Sequence, residues 1–232
     1  MIAREGYPFI LIGLVLTVVL VLLATRANSY WLFGISAIFG LLTLFVTFFF
    51  RDPDRSCAAE PGSLVSPADG RVIKVEQVGS HPFMGGPAAK ISIFLSVFDV
   101  HVNRVPASGV VTHVAYHPGE FLVAYEDKAS EKNEQTEIGM TTESGDRILF
   151  KQIAGYIARR IVCHLKEGDT VTAGQRFGLI RFGSRTELFV PVSATVLVKA
   201  GDRVLGGETP LVRLAARTQQ PGKSTQAGTY DH

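Results

Sequence analysis

The sequence predicts a mainly β protein: an N-terminal transmembrane helical hairpin followed by a β-sandwich or hammerhead-like domain. Three observations carry this. Two long apolar runs open the chain. Short runs rich in Val, Ile and Phe, punctuated by Gly, Pro and Asp, fill the rest. A Gly-Asp-x-Val-x-x-Gly pattern occurs twice.

The helical part comes first. The chain has 232 residues, 47% of them hydrophobic, and a mean hydropathy of +0.23. No charged residue falls between Gly6 and Thr25, and none between Ala27 and Phe50. A membrane-spanning helix needs about 20 mostly apolar residues, and both runs reach that length. Arg26 and the polar turn Ala27-Asn28-Ser29-Tyr30 separate them, and Tyr7, Tyr30 and Trp31 stand where interfacial aromatics are expected. A signal peptide or a buried core helix is the alternative. The first run is longer than the about 7–15 residues of a secretory apolar region, no small-x-small cleavage site follows it, and the second run comes at once. A re-entrant or monotopic course for the second run stays open, since Phe45–Phe50 could lie in the interface. Residues 1–50 are therefore expected as the hairpin. A hairpin places the N-terminus and the following domain on one side. Arg4, Arg51 and Arg55 lie there against Arg26 in the loop, which favours a cytoplasmic domain at the cell membrane by a margin of two residues.

Residues 51–217 make one domain of ordinary size. Residues 218–232, rich in Gln, Gly, Ser and Thr, are expected as a disordered tail. Strands are expected at Arg71–Val78, Ala89–Leu95, Gly109–Ala115, Arg147–Ile153, Arg160–Cys163, Arg176–Phe182, Thr186–Val190, Thr195–Val198 and Leu211–Leu214. A short helical turn is expected at Gly155–Arg159. The repeat falls at Gly168–Gly174 and again at Gly201–Gly207, each copy ahead of an apolar strand. It suits a hammerhead in which each half supplies one tight turn. Biotinyl and lipoyl carrier domains share the pattern, but neither copy has their Met-Lys-Met or Asp-Lys-Ala tip. The glycine-rich apolar loop His81–Gly86 reads either as an interfacial loop or as an ordinary exposed one.

Composition narrows the function classes. The net charge is +2, and no basic run with interleaved aromatics marks a nucleic-acid binder. Six scattered histidines form no Cys/His cluster and no HExxH, so no metal is expected. Cys57 and Cys163 lack metal or redox spacing and fit a reducing compartment.

Three segments carry candidate chemistry. Ser66-Pro67-Ala68-Asp69-Gly70 reads singly as a turn. His101, in the apolar stretch Phe94–Pro106, reads singly as a satisfied core histidine. Gly183-Ser184 interrupts what otherwise reads as one continuous strand, and reads singly as a bulge or kink. Together they supply an Asp, a His and a Ser from separate β segments, which a fold can bring into one site. An Asp69–His101 pair could deprotonate Ser184, whose hydroxyl could attack the unhindered carbonyl of Gly183. Elimination of the resulting ester leaves a dehydroalanine, which hydrolyses to a ketone-bearing pyruvoyl group.

At this point the chain resembles the short, bacterial/archaeal-type phosphatidylserine decarboxylase proenzymes. The matching pieces are Phe49-Phe50-Arg51-Asp52-Pro53, Ser66-Pro67-Ala68-Asp69-Gly70, Phe94-Leu95-Ser96 with Asp99-Val100-His101, and Phe182-Gly183-Ser184-Arg185. Each is weak alone; their order and spacing are specific. The resemblance implies autocatalytic, non-hydrolytic cleavage between Gly183 and Ser184. The products are a larger chain, Met1–Gly183, and a small one, Ser184–His232, headed by a pyruvoyl cofactor derived from Ser184. It implies a Schiff base between that group and the amine of phosphatidylserine, loss of carbon dioxide and release of phosphatidylethanolamine. Asp69 and His101 assist self-cleavage, and His101 is also a candidate for the decarboxylation step. The implied partners are phosphatidylserine, membrane lipid and the chain's own second fragment, with higher oligomers left open. One departure stands out. Longer members carry a second histidine three residues after the first, and here that position is Arg104. Either His101 does two jobs, or Arg104 holds the substrate carboxylate or phosphate. Two rival functions remain: a membrane-anchored hammerhead module acting as an adaptor without catalysis, and a soluble amino-acid decarboxylase with the same cofactor.

Overall fold

The computed structural model describes residues 1–57, 60–120, 122, 132–155, 160–181 and 183–215. The expected tail at 218–232 and all but the first residue of the expected turn at Gly155–Arg159 lie outside them.

After a 3-10 turn at Arg4–Gly6, helix α1 runs Tyr7–Ala27 and helix α2 Tyr30–Phe49. Asn28 ends α1 in the left-handed conformation at φ 47°, which Asn tolerates better than most side chains, and the chain reverses within three residues. The helices cross closely at Gly13, where a Cβ would lie 2.5 Å from the Thr43 hydroxyl. Their outward Leu, Val, Ile and Phe side chains are exposed, as in helices made for lipid. Both are long and apolar enough to cross a membrane.

The β domain holds fourteen described strands: β1 (Ser63–Val65), β2 (Gly70–His81), β3 (Gly86–Leu95), β4 (Val102–Arg104), β5 (Gly109–His117), β6 (Gln135–Thr142), β7 (Arg147–Ile153), β8 (Ile161–Cys163), β9 (Thr170–Val171), β10 (Arg176–Ile180), β11 (Ser184–Pro191), β12 (Thr195–Val196), β13 (Arg203–Val204) and β14 (Pro210–Arg213). An eight-stranded sheet runs β13-β2-β3-β11-β7-β6-β5-β9, beside three-stranded sheets β1-β14-β12 and β4-β10-β8. The sheet domain curls around one apolar cluster that includes Val72, Ile91, Ile93, Ile138, Phe150, Phe177 and Leu188. The mainly β expectation is met.

The repeated motif builds both edges of the large sheet. Lys166 N–H donates to Asp169 and Lys199 N–H to Asp202, at 2.8 and 2.9 Å. Gly168 N–H donates to Val111 O and Gly201 N–H to Val72 O, each at 2.8 Å. β9 and β13, which follow these turns, are the two outermost strands. Gly174 and Gly207, both at φ 78°, meet where the copies converge.

The two strands expected on either side of Gly183-Ser184 belong to different sheets. β10 lies between β4 and β8, whereas β11 lies between β3 and β7. The two ends flanking Gly183-Ser184 are thus held by different sheets. Gly183, at φ +65°, occupies a region that side chains with a Cβ disfavour, and this turn lets the chain change sheet. The loop at His81–Gly86 turns back onto its own sheet, where Phe83 and Met84 pack near Ala88, Leu149 and Phe189.

The hairpin is locked to the domain at its base. Ala3 N–H donates to Phe50 O at 2.8 Å, and Asp52 N–H to Met1 O at 2.7 Å. Phe49 and Phe50, at the end of α2, are fully buried with Ala3, Val100, Val102 and Leu179.

Candidate active site

Ser184 is the first residue of β11, in register with Leu95 of β3. It is fully buried, and its Oγ makes no hydrogen bond to any described residue. A buried hydroxyl without a partner is uncommon, and a catalytic role is one of its recognised causes. Gly183 precedes it in the left-handed turn, with nothing within 4 Å of where a Cβ would stand.

His101 comes from the chain just ahead of β4. Its Nδ1 lies 2.9 Å from the carbonyl oxygen of Asp99. A carbonyl only accepts, so Nδ1 carries the hydrogen. Nε2 is therefore the bare nitrogen, and it accepts the Gly183 N–H at 3.3 Å. The imidazole is fully buried and lies against the Phe49 ring, centroids 4.3 Å apart. Burial lowers its pKa from 6.5 to about 4, against the opposing pull of the Asp99 carbonyl and of the Asp99 and Asp69 charges. At neutral pH it is an uncharged base whose Nε2 lone pair faces the Gly183 N–H, one peptide ahead of the Gly183-Ser184 bond. The Asp99 carboxylate fixes this loop by accepting from Ser96 N–H and Oγ–H at 2.8 and 2.7 Å.

Asp69 is also buried, but its carboxylate meets other partners. It accepts both ends of the Arg55 guanidinium and the Gly206 N–H. No hydrogen bond joins it to His101 among the described residues; its action on the imidazole is through space. Arg104 is turned to the base of the hairpin. Its guanidinium donates to Gly174 O at 3.0 Å, to Pro53 O at 2.9 Å and to Asp52 at 3.3 Å. The Phe49–Pro53 segment and Arg104 therefore form one assembly, and Arg176 joins it through Asp52 at 2.6 Å. The structure joins His101 to Gly183, the neighbour of Ser184, and holds Asp69 and Arg104 on partners of their own.

Sequence reasoning missed two buried amides. Gln152 of β7 is the register partner of Thr186, two residues on from Ser184. Its Nε2 donates to Val162 O at 3.2 Å and to Asn103 Oδ1 at 2.8 Å. The Val162 carbonyl fixes which end of the Gln152 amide is nitrogen, and that in turn fixes Asn103. Asn103 Nδ2, Gln152 Oε1 and Thr186 Oγ1 are left buried without hydrogen-bond partners among the described residues. Asn103 lies two residues after His101 in extended chain, a spacing that puts both on one face. The signal was a polar residue inside an apolar strand, which alone does not separate function from packing. Beside Ser184, Arg185 and Glu187 are also fully buried, 3.0 Å apart, with Ser92 bridging them.

Comparison with known proteins decides the family. The phosphatidylserine decarboxylase profile matches residues 42–212. The chain belongs to the phosphatidylserine decarboxylase family. It is 50% identical over 213 residues to the phosphatidylserine decarboxylase proenzyme of Symbiobacterium thermophilum, covering 92% of this chain and 95% of that one. The proenzymes of Pelobacter propionicus and Burkholderia multivorans are 48% and 42% identical, each over 92% of this chain and 96% of theirs. Within this family member, the matched span contains the end of α2, His101 and the Gly183-Ser184 junction, and nothing of α1.

Proposed function

We propose that this chain is a membrane-bound proenzyme that cuts itself between Gly183 and Ser184 and then converts phosphatidylserine to phosphatidylethanolamine. The observation that carries the reading is the junction itself: a buried, unpartnered Ser184 hydroxyl, a left-handed glycine before it, and a neutral imidazole whose free nitrogen meets the Gly183 N–H.

The steps follow from these groups. Nε2 of His101 gives up the Gly183 N–H and takes the Ser184 hydroxyl proton, and Oγ adds to the Gly183 carbonyl carbon. The Gly183–Ser184 C–N bond breaks, the Ser184 nitrogen leaves as an amine with a proton, and an ester joins the two residues. Loss of the Ser184 α-proton expels the Gly183 carboxylate. The remaining enamine takes up water and loses ammonia, leaving a ketone on the new N-terminus. Asp69 and Asp99 favour the imidazolium formed in the first step, and the Asp99 carbonyl keeps the ring oriented. The site fits a pyruvoyl group because its precursor hydroxyl is buried and Gly183 leaves open space before it. Once formed, that ketone supplies an electron sink for the substrate amine, as pyridoxal does elsewhere. Nε2 of His101 takes the proton that the substrate ammonium sheds and returns it after carbon dioxide leaves.

Arg104, with its partners at Asp52, Pro53 and Gly174, serves this reading as a brace between hairpin and domain rather than as the substrate anchor. The two apolar helices hold the site at the bilayer, and Arg4, Arg51 and Arg55 favour the cytoplasmic face.

Purified protein run on a denaturing gel should give two chains, and Ser184→Ala one. Mass spectrometry of the small chain should find a pyruvoyl cap at its N-terminus. An active preparation that remains a single full-length chain would overturn the proposal.

A further inference from the structure

Arg181 stands two positions before Gly183, and it has no acidic partner among the described residues. No carboxylate of a described residue lies within ion-pair distance of it or of Arg160, while Arg55, Arg104, Arg176 and Arg185 all meet one. Arg181 Nε is buried with no hydrogen-bond partner among the described residues. Arg181 N–H donates to Arg160 O at 3.3 Å, so two cationic residues share one spot. Burial and the Arg160 charge both disfavour the Arg181 cation, and Glu5 only partly offsets them. Glu5 itself lies 3.1 Å from the His164 ring. Charge left this way is unfavourable unless an anion comes from outside.

The surroundings say which anion. The Arg181 guanidinium lies 5.0 Å over the Phe9 ring, in the first turns of α1. Phe9 stacks on Phe50 at 5.8 Å, Phe50 meets Phe49 at 5.1 Å, and Phe49 lies 4.3 Å from the His101 ring. His101 returns to Gly183. Aromatic rings at the foot of the hairpin thus connect an unpaired guanidinium to the reaction centre. The cation is at the level where α1 enters its lipid-facing course, so the anion it meets is one carried at the bilayer surface.

We propose that Arg181, assisted by Arg160, binds the phosphodiester of the phospholipid headgroup and so sets the headgroup's reach to the Ser184 centre. A guanidinium presents a fork of donors that matches two phosphate oxygens. This rests on the reading of Gly183-Ser184 as the reaction centre.

The test uses full-length protein in mixed micelles, with Arg181→Gln, Arg160→Gln and wild type. Wild type must first be cleaved and active; an intact, inactive wild type sinks the reading of the centre, not this assignment. Arg181→Gln is expected to be cleaved normally, to raise KM for phosphatidylserine about tenfold or more, as loss of one charge-assisted hydrogen bond predicts, and to change kcat little. Arg160→Gln should do the same to a smaller degree. Phosphatidylglycerol should inhibit wild type and lose about tenfold in potency against Arg181→Gln. Wild-type KM and inhibition in Arg181→Gln would overturn the proposal. So would failure of that variant to cleave, which would move Arg181 into processing. Inhibition by inorganic phosphate without inhibition by phosphatidylglycerol would assign the site to free phosphate and overturn the lipid assignment.

Discussion

Phe49→Ala should move the pH dependence of self-cleavage. Phe49 is fully buried at the end of α2 and covers the His101 ring at 4.3 Å. Burial is the largest cause of the fall in the imidazole pKa from 6.5 to about 4. At about 1.36 kcal/mol per unit, that fall corresponds to about 3 kcal/mol of preference for the neutral ring. Removing the phenyl group admits water to one face and relieves part of this. The charges facing the ring stay in place: Asp99 and Asp69 raise its pKa and Arg51 lowers it. The midpoint of the acid limb should therefore climb from about 4 toward 6.5. The assay is the rate of appearance of the small chain after refolding or synthesis, measured from pH 4 to pH 8. Phe49→Ala also costs about 3–5 kcal/mol as a cavity, so Phe49→Leu is the companion variant. Leu keeps the ring covered and should leave the midpoint near that of wild type. An unchanged midpoint in a folded Phe49→Ala protein would refute the claim that α2 holds His101 neutral.

Three further outcomes are expected. Unfolding free energy should fall as pH drops from about 6.5 to about 4, because the unfolded histidine binds a proton that the folded one refuses; the loss is about 3 kcal/mol, and a His101→Phe control melted across the same range should lack it. Asp69→Asn leaves Arg55 facing a neutral amide and should destabilise the domain by about 3–5 kcal/mol, as breaking a buried pair does, with slower cleavage on a gel; wild-type melting would contradict it. Gly183→Ala meets no steric obstacle, yet its φ of +65° should cost about 1–2 kcal/mol, and the small chain should appear more slowly.

Much of the fold was legible because its signals are local. Uncharged runs of helix length identified α1 and α2, and the repeated Gly-Asp-x-Val-x-x-Gly identified two equivalent turns. The repeat could not say that its strands form opposite edges of one sheet, because pairing across the chain leaves no local trace. β6 went unpredicted for a related reason. Gln135–Thr142 is polar apart from Ile138 and Met140, yet six of its eight residues are buried by neighbouring strands. Its central place comes from what covers it, not from its own residue types.

The site was legible in its centre and not in its support. Gly183, Ser184 and His101 belong to short motifs whose residue types suggested the proposed chemistry, and the fold seats His101 Nε2 on the Gly183 N–H, one residue from Ser184. Asp69 carries the same kind of signal, but its partner depends on Arg55, fourteen residues earlier, and on Gly206, far later. Asn103 and Gln152 meet only because β4 and β7 belong to sheets packed side by side. Read as sequence, Phe49 ends a lipid anchor; in the fold it covers His101, the base of the proposed reaction. An anchor that only tethered the domain could be exchanged for any other apolar helix. This one also sets the polarity around His101, so changing its last turn should alter chemistry as well as location.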